Sequence, residues 1–460
     1  MRSGSTLLVA FLGVSLTRAA LTLEKKDVPS TLEVPFGFGP MFGSNSMSRV
    51  GIDKRKNVLD VDAAIENMVF VHTNITVGTP PQEMEVYFNI MGNECWIHAA
   101  NSTSCQWFKD KENCDGYGGY NTSTSKTAEF VSSDFAVNDR GPNVTGDFFK
   151  DALVIGNTKL DSMKLGVAYD GITSNTIGLG YGEEGSSSVS LPQALTDAGI
   201  INSPAFSMWT NYGYRYGGKI LFGGVNKAKY SGTLQTLPIV PGPSGERKAF
   251  RVNMTGLLIN ETSISPESFT LDALLDNQVS LTHVPESVMS ALAIQLNVEK
   301  IPESGQITLP CSLETSKTNI TLEFGAAKFE FPIGLLMTQV SVEHAYTRYG
   351  DACYSGIVAN RDYNKRGSIV LGTNFIRSVY SVFDLANDEV SLANLVSESY
   401  SDNIVEITSG ENSVPGATAT TTDKGQDKDQ KDGEESLGST LENARLCFGL
   451  TIAVLCYILI

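Results

Sequence analysis

The sequence predicts a mostly β body divided into two lobes, and three observations carry that reading. Short runs rich in β-branched and aromatic residues, separated by Gly, Asn and Ser, repeat from Val69 to about Leu395. Helical periodicity is confined to two stretches. A Pro/Gly/Ser-rich segment, Pro238 to Gly245, splits the β-rich part near its middle into pieces of similar size.

In chain order, Met1 to Ala20 carries one early Arg, an apolar run from Leu7 to Leu16 and a small-residue exit at Thr17, Ala19 and Ala20. That pattern is a secretory signal, expected over residues 1–19; a buried helix is the competing reading. Leu21 to Asn57 lacks periodicity and contains Lys54-Arg55-Lys56. The basic run reads either as a propeptide junction or as a solvated charge run, and the domain division adopted here takes residues 20–55 as propeptide. Val69 to Val77 and Met84 to Ile90 flank Gly78-Thr79-Pro80-Pro81 and predict a hairpin. Leu191 to Ile201, opened by Ser190 and Pro192, predicts a helix, as does Pro285 to Leu296, where Val288, Leu292 and Leu296 recur on one face. The lobes are then residues 56–240 and 241–397. Beyond Leu395 apolar residues thin out, so 398–438 is expected to be a Ser/Thr-rich disordered stalk.

The chain ends in an uncharged tail of 15 residues, Leu446 to Ile460, short for a membrane span of about 20. Small residues Gly438, Ser439 and Thr440 and a brief spacer precede it. That layout predicts a glycosylphosphatidylinositol (GPI) attachment signal over 439–460, joined at Gly438, with Gly433 and Ser436 as alternative attachment residues. A tail-anchored helix is the competing reading.

With 460 residues, 41% hydrophobic and 18% charged, the composition is that of a globular protein. A net charge of −17 with no basic cluster beyond the Lys-Arg-Lys run excludes a nucleic-acid partner. Of seven cysteines, Cys447 and Cys456 lie in the tail, which leaves Cys95, Cys105, Cys114, Cys311 and Cys353, an odd set for a disulfide-permissive compartment. Sequons at Asn74, Asn101, Asn121, Asn143, Asn253, Asn260 and Asn319 fit the secretory route.

Three segments carry a resemblance. Asn74-Ile75-Thr76-Val77-Gly78-Thr79-Pro80-Pro81-Gln82 is the first. The second is Ile220-Leu221-Phe222-Gly223-Gly224-Val225 with Lys227-Ala228-Lys229-Tyr230-Ser231-Gly232-Thr233-Leu234. The third is Ile369-Val370-Leu371-Gly372-Thr373-Asn374-Phe375 with Asp384-Leu385. Together they resemble the pepsin-like aspartic endopeptidases, and within these the GPI-anchored, yapsin-like branch of fungi. The resemblance covers about residues 67 to 397 and implies a pepsin-like two-lobed fold with a peptide-binding central cleft. It also implies one disulfide per lobe, Cys105 with Cys114 and Cys311 with Cys353, leaving Cys95 as a buried, inert thiol.

Chemistry in that family needs one Asp from each lobe, each in an Asp-Thr/Ser-Gly turn. Two carboxylates close together share a proton, so that one takes a proton from water while the other donates one to the substrate carbonyl. This sequence contains no Asp-Thr-Gly or Asp-Ser-Gly. The position seven residues after Gln82 and seven before Trp96 is Asn89, followed by Ile90, Met91 and Gly92. The second site keeps Asp276 but continues Asn277-Gln278-Val279 before Ser280-Leu281-Thr282. The flap that closes over substrate in the family offers a Tyr eight residues before a Gly. Anchoring on Gly146, with Asp151 beyond it, places Asn138 there.

The resulting expectation is a catalytically inactive cell-surface homologue that keeps its cleft for a peptide or protein ligand, is a monomer, and meets the membrane through a GPI lipid. An active or residually active peptidase and a structural wall glycoprotein are the alternatives. His72, His98, His283 and His344 are isolated and no Gly-x-Ser-x-Gly elbow occurs, so neither a metal, a cofactor nor a serine nucleophile is expected.

Overall fold

The computed structural model describes residues 30–39, 70–103, 118–137, 143–171, 174–183, 185–210, 217–242, 248–298, 306–339, 352–360, 369–396 and 401–420. The N-terminal part contributes β1 (Leu32–Gly39), β2 (Phe70–Val77), β3 (Gln82–Asn89), β4 (Trp96–His98), β5 (Glu129–Val137), β6 (Val144–Ile155), β7 (Thr158–Asp170) and β8 (Thr176–Gly178). Helix α1 (Leu191–Asp197) leads to β9 (Ala205–Thr210), β10 (Gly218–Phe222), β11 (Gly224–Asn226) and β12 (Tyr230–Pro238).

The C-terminal lobe follows with β13 (Arg251–Met254), β14 (Gly256–Ile259), β15 (Thr262–Ser263), β16 (Leu271–Leu275), β17 (Thr282–Val284) and α2 (Glu286–Gln295). It continues through β18 (Gln306–Pro310), β19 (Asn319–Phe324), β20 (Ala327–Pro332), β21 (Met337–Gln339), β22 (Ala352–Ala359), β23 (Ile369–Leu371) and α3 (Thr373–Ile376). The chain closes with β24 (Val379–Asp384), β25 (Glu389–Leu395), β26 (Ile404–Glu406) and β27 (Ala417–Ala419).

The expected hairpin forms: β2 and β3 are antiparallel with Val77 opposite Gln82. Both helices form where the periodicity places them. The first stops at Asp197 rather than Ile201, because Gly199 adopts a left-handed φ of 68° and the Ile200 amide turns back to the Leu195 carbonyl.

A 14-stranded sheet runs in the order β27-β12-β25-β24-β9-β10-β1-β2-β3-β8-β4-β7-β6-β5, and the second lobe is built on a seven-stranded sheet, with β14, β15, β19 and β20 forming a four-stranded one. The strands at the base between the lobes alternate cleanly. Phe206, Met208 and Phe383 enter the large core that also holds Ile90 and Leu275, whereas Ala205, Trp209, Tyr380 and Val382 enter a separate cluster on the opposite face. Period-two alternation thus gives one sheet two buried faces.

Part of the expected propeptide, β1, lies in the large sheet, with Leu32, Val34 and Phe36 buried. One segment differs from the expectation. Part of the presumed stalk, Ile404 to Thr420, packs on the body: β26 pairs with β11 and β27 with β12, and Ile407 and Val414 bury into the Trp209 cluster. Few apolar residues suffice there because backbone pairing supplies the rest. Gly438 and the tail lie outside the described residues.

Of the two disulfides implied, Cys311–Cys353 is present, with Cα atoms 5.0 Å apart, and ties β22 to the turn after β18. Cys105 and Cys114 lie outside the described residues. Replacing both Cys311 and Cys353 by Ser should lower stability by about 3 to 4 kcal/mol on chain-entropy grounds. Denaturant titration would check this; a loss under about 1 kcal/mol would mean that the strand pairing already confines the loop in the unfolded ensemble.

Candidate active site

Asn89 and Asp276 stand at equivalent points of two repeated strand arrangements. In the first lobe β3 runs parallel to β8, which is antiparallel to β4, which is parallel to β7. In the second lobe β16, β23, β17 and β22 repeat the same sequence of parallel and antiparallel contacts. Asn89 ends β3 and Asp276 directly follows β16. Each then enters a tight turn threaded by the partner strand. The Gly180 amide donates to the Gly92 carbonyl at 2.8 Å, and the Thr373 amide donates to the Val279 carbonyl at 2.7 Å. A side chain at Gly180 would collide with the Ile90 carbonyl at 2.1 Å, which explains the glycine.

Within each turn the side chain accepts a hydrogen bond from the backbone two residues on. The Met91 amide donates to Asn89 Oδ1 at 2.8 Å, and the Gln278 amide donates to Asp276 Oδ1 at 2.8 Å. Both residues are buried. Between the turns Asn277 reaches across from the second lobe. Asn277 Nδ2 donates to the Phe88 carbonyl at 2.7 Å, and Asn277 Oδ1 accepts from the Ile90 amide at 3.1 Å. Gln278 Nε2 adds a second donor to Phe88 O at 3.1 Å, while the Thr373 hydroxyl fixes the Asn277 carbonyl at 3.0 Å. Ile90, fully buried and apolar, gives nothing back from its side chain. In the sequence Asn277 and Gln278 are departures from the family turn; in the structure their side chains join the two turns.

Chemically the two turns offer one carboxylate, Asp276, and several carboxamides, which neither take up nor release a proton. The remaining candidates are dispersed. Cys95 is buried, and burial pushes its thiol up to about 12; its sulfur faces the Val189 carbonyl and accepts from the Gly178 amide, which suits an inert core thiol. His72 lies 3.6 Å from Glu85, His98 is buried beside Asn175, and His283 lies in β17. His344 lies outside the described residues. Among the described residues no group of three His, Cys, Asp or Glu could hold a metal ion.

Strands β5 and β6 form the antiparallel hairpin that would carry the flap; Asn138, next in sequence after β5, lies outside the described residues. Asn74, Asn101, Asn121, Asn143, Asn253 and Asn260 are exposed. Asn319 is half-buried: its amide group donates to Glu330, and its backbone N–H donates to Asn260 Oδ1 at 2.8 Å.

In the sequence Asp151 is only a spacing mark after Gly146. The structure makes it a buried hub that takes hydrogen bonds from the Tyr120 and Thr127 hydroxyls, joining β6 to the segment before β5. Burial works against its charge, but hydrogen bonds from Ser125, Thr127, Tyr120 and the Ala152 amide outweigh it and hold the carboxyl below its usual range.

Asn277→Ala should cost about 2 to 4 kcal/mol, because it strips a buried amide and weakens the support of a buried carbonyl. Asn277→Asp keeps the acceptor for Ile90 but loses the donor to Phe88 while ionised. The carboxyl introduced there gains its donor only when protonated, so its folded pKa rises. The variant is then most stable below the unfolded carboxyl pKa and loses stability as pH rises through the folded value. Denaturation across pH checks the sign; equal loss at all pH would refute it.

Residues 71–395 match the family model described as eukaryotic aspartyl protease. The chain is 35% identical over 418 residues to the probable aspartic-type endopeptidase opsB of Aspergillus fumigatus, covering 87% of this chain and 83% of that one. It is 26% identical over 367 residues to aspartic proteinase yapsin-3 of Saccharomyces cerevisiae, covering 74% and 69%, and 27% identical over 326 residues to secreted aspartic protease 8 of Candida albicans, covering 69% and 74%. With paired turns rising from two equivalent strand arrangements, and with matches spanning most of its length, this chain belongs to the eukaryotic aspartyl protease family.

Proposed function

We propose that this chain is a catalytically inactive member of its family, secreted to the cell surface, whose cleft is kept to hold a peptide or protein. The observation that carries the proposal is Asn89, which occupies the place equivalent to Asp276 and whose oxygen is held by the Met91 amide. A carboxamide there can accept and donate hydrogen bonds but cannot take a proton from water. Asp276 alone cannot serve as base and acid in the same step. Loss of general acid–base help costs about 10²- to 10⁴-fold, and more where the groups act as a unit.

Asn89 is also guarded against conversion to Asp. Deamidation begins with attack of the following backbone nitrogen on the side-chain carbonyl carbon, and the Ile90 amide is engaged by Asn277 Oδ1. Similarity to a yapsin and to a secreted aspartic protease supports a secretory or surface location. The uncharged tail after Arg445 supports a GPI anchor at Gly438.

The full-length protein should cleave no member of a peptide library across about pH 3 to 7. Asn89→Asp alone should not restore turnover, since Ile90 still returns no bond and Gln278 still fills the glycine position. Pepstatin-sensitive cleavage that disappears in Asp276→Ala would sink the proposal. Anchorage has its own check: phosphatidylinositol-specific phospholipase, or glucanase if the anchor is passed to wall glucan, should release the protein without residues 439–460. Retention after both treatments, with the tail still detected by mass spectrometry, would show a membrane helix instead.

A further inference from the structure

Residues 401–420 follow the second lobe in the chain, yet they bond to strands of both halves of the base. On the first-lobe side Asp402 pairs with Lys229 at 3.1 Å and accepts from Asn226 Nδ2 at 2.9 Å. The Asn403 amide donates to Asn226 Oδ1 at 2.9 Å, and the Lys227 amide donates to the Asn403 carbonyl at 2.8 Å. Strand β26 then runs antiparallel to β11, with Ile404 opposite Asn226 and Glu406 opposite Gly224. Further on, β27 lies parallel to β12, and Thr420 donates its amide and its hydroxyl to the Thr236 carbonyl at 3.1 and 3.0 Å.

The same segment holds the second half. The Ser413 hydroxyl donates to Asp384 Oδ2 at 2.9 Å, and Asn387 Nδ2 donates to the Gly410 carbonyl at 3.0 Å, so the turn between β24 and β25 is gripped from outside. Between these two sets of bonds Ile407 and Val414 are 0% and 6% exposed. They enter one cluster with Trp209, Val225 and Leu234 of the first half and Tyr380 and Val382 of the second. The seam under them is the β9–β24 pairing, across which Trp209 stacks on Tyr380 at 5.8 Å. On the other face of those two strands, Phe206, Met208 and Phe383 share a core with Ile90 and Leu275, the neighbours of Asn89 and Asp276.

We propose that residues 401–420 are a strap that ties the two lobes together behind the cleft and thereby fixes how the Asn89 and Asp276 turns meet. Any movement of one lobe against the other shears the base, and a packed seam does not deform continuously. A segment bonded to both halves and wedged between them must first give up its bonds on one side and its buried aliphatic side chains, so closing the strap stiffens the seam. The inference needs neither catalytic inactivity nor a ligand in the cleft; it rests on the base alone.

Hydrogen exchange on the detergent-solubilised full chain tests it at two places at once, the strap and the turns. In the unaltered protein residues 404–407 should exchange as slowly as β24 and β25. Ile407→Ser combined with Val414→Ser should speed exchange over residues 404–420 by about a hundredfold, as loss of two buried aliphatic side chains implies. The Ile90 and Gln278 amides should speed up with them, while the β6–β7 pairing in the first lobe stays as it was. Should the double variant not accumulate, Ile407→Val should speed the same amides about two- to tenfold. Free exchange over residues 404–420 in the unaltered protein would overturn the strap. Release of those residues with unchanged exchange at both turns would overturn the tie between the lobes.

Discussion

At the meeting point of the two lobes, the carbonyl of Phe88 and the amide of Ile90 are buried and must be satisfied there. Asn277, contributed from 189 residues further along the chain than Phe88, satisfies both with one side chain. An unmet buried peptide group costs about 1 to 3 kcal/mol, so this contact constrains how one lobe meets the other. Everything nearby is arranged to keep that side chain in place. Thr373 holds its backbone carbonyl, and Gln278 donates to the same Phe88 oxygen. Where the family turn carries a Thr or Ser, this chain has a carboxamide that reaches across to the other lobe.

The base of the molecule rests on a different constraint. A sheet that is apolar on both faces needs cover on both, and here the lobes cover one face and the chain's own C-terminal segment covers the other. That segment is polar in composition yet ordered, because it contributes two three-residue strands and places Ile407 and Val414 where Trp209 and Tyr380 need contacts. Its Ser413 hydroxyl also donates to the buried carboxylate of Asp384, beside Asn387. The same segment therefore meets an apolar and a polar requirement at once.

How much of this the sequence discloses follows from the range of each signal. The β2–β3 hairpin and both long helices are legible because alternation, turn residues and caps act over a few positions. Strand β1 carries the alternating pattern Leu32, Val34, Phe36, but two glycines and a proline within eight residues mask it, and its partners lie far along the chain. The Ile404 to Thr420 segment is concealed by the Ser- and Thr-rich run it leads into. Asn89 and Asp276 are legible by spacing, whereas the part played by Asn277 depends on a contact across the lobes that no local pattern encodes.

The same turn also explains how a residue needed for chemistry can change while the turn persists. What the backbone asks of position 89 is an oxygen that accepts from the Met91 amide; at 276 the Gln278 amide asks for the same. A carboxylate and a carboxamide both supply that oxygen, in nearly equal volume, so the local fold is indifferent to the choice. Proton transfer is not, because only one of the two groups titrates. Replacing Asp by Asn at such a point separates two roles that a catalytic Asp combines, keeping the acceptor that shapes the turn and removing the proton carrier that would use it. The acceptor bond seen in each turn therefore does not by itself distinguish the two groups.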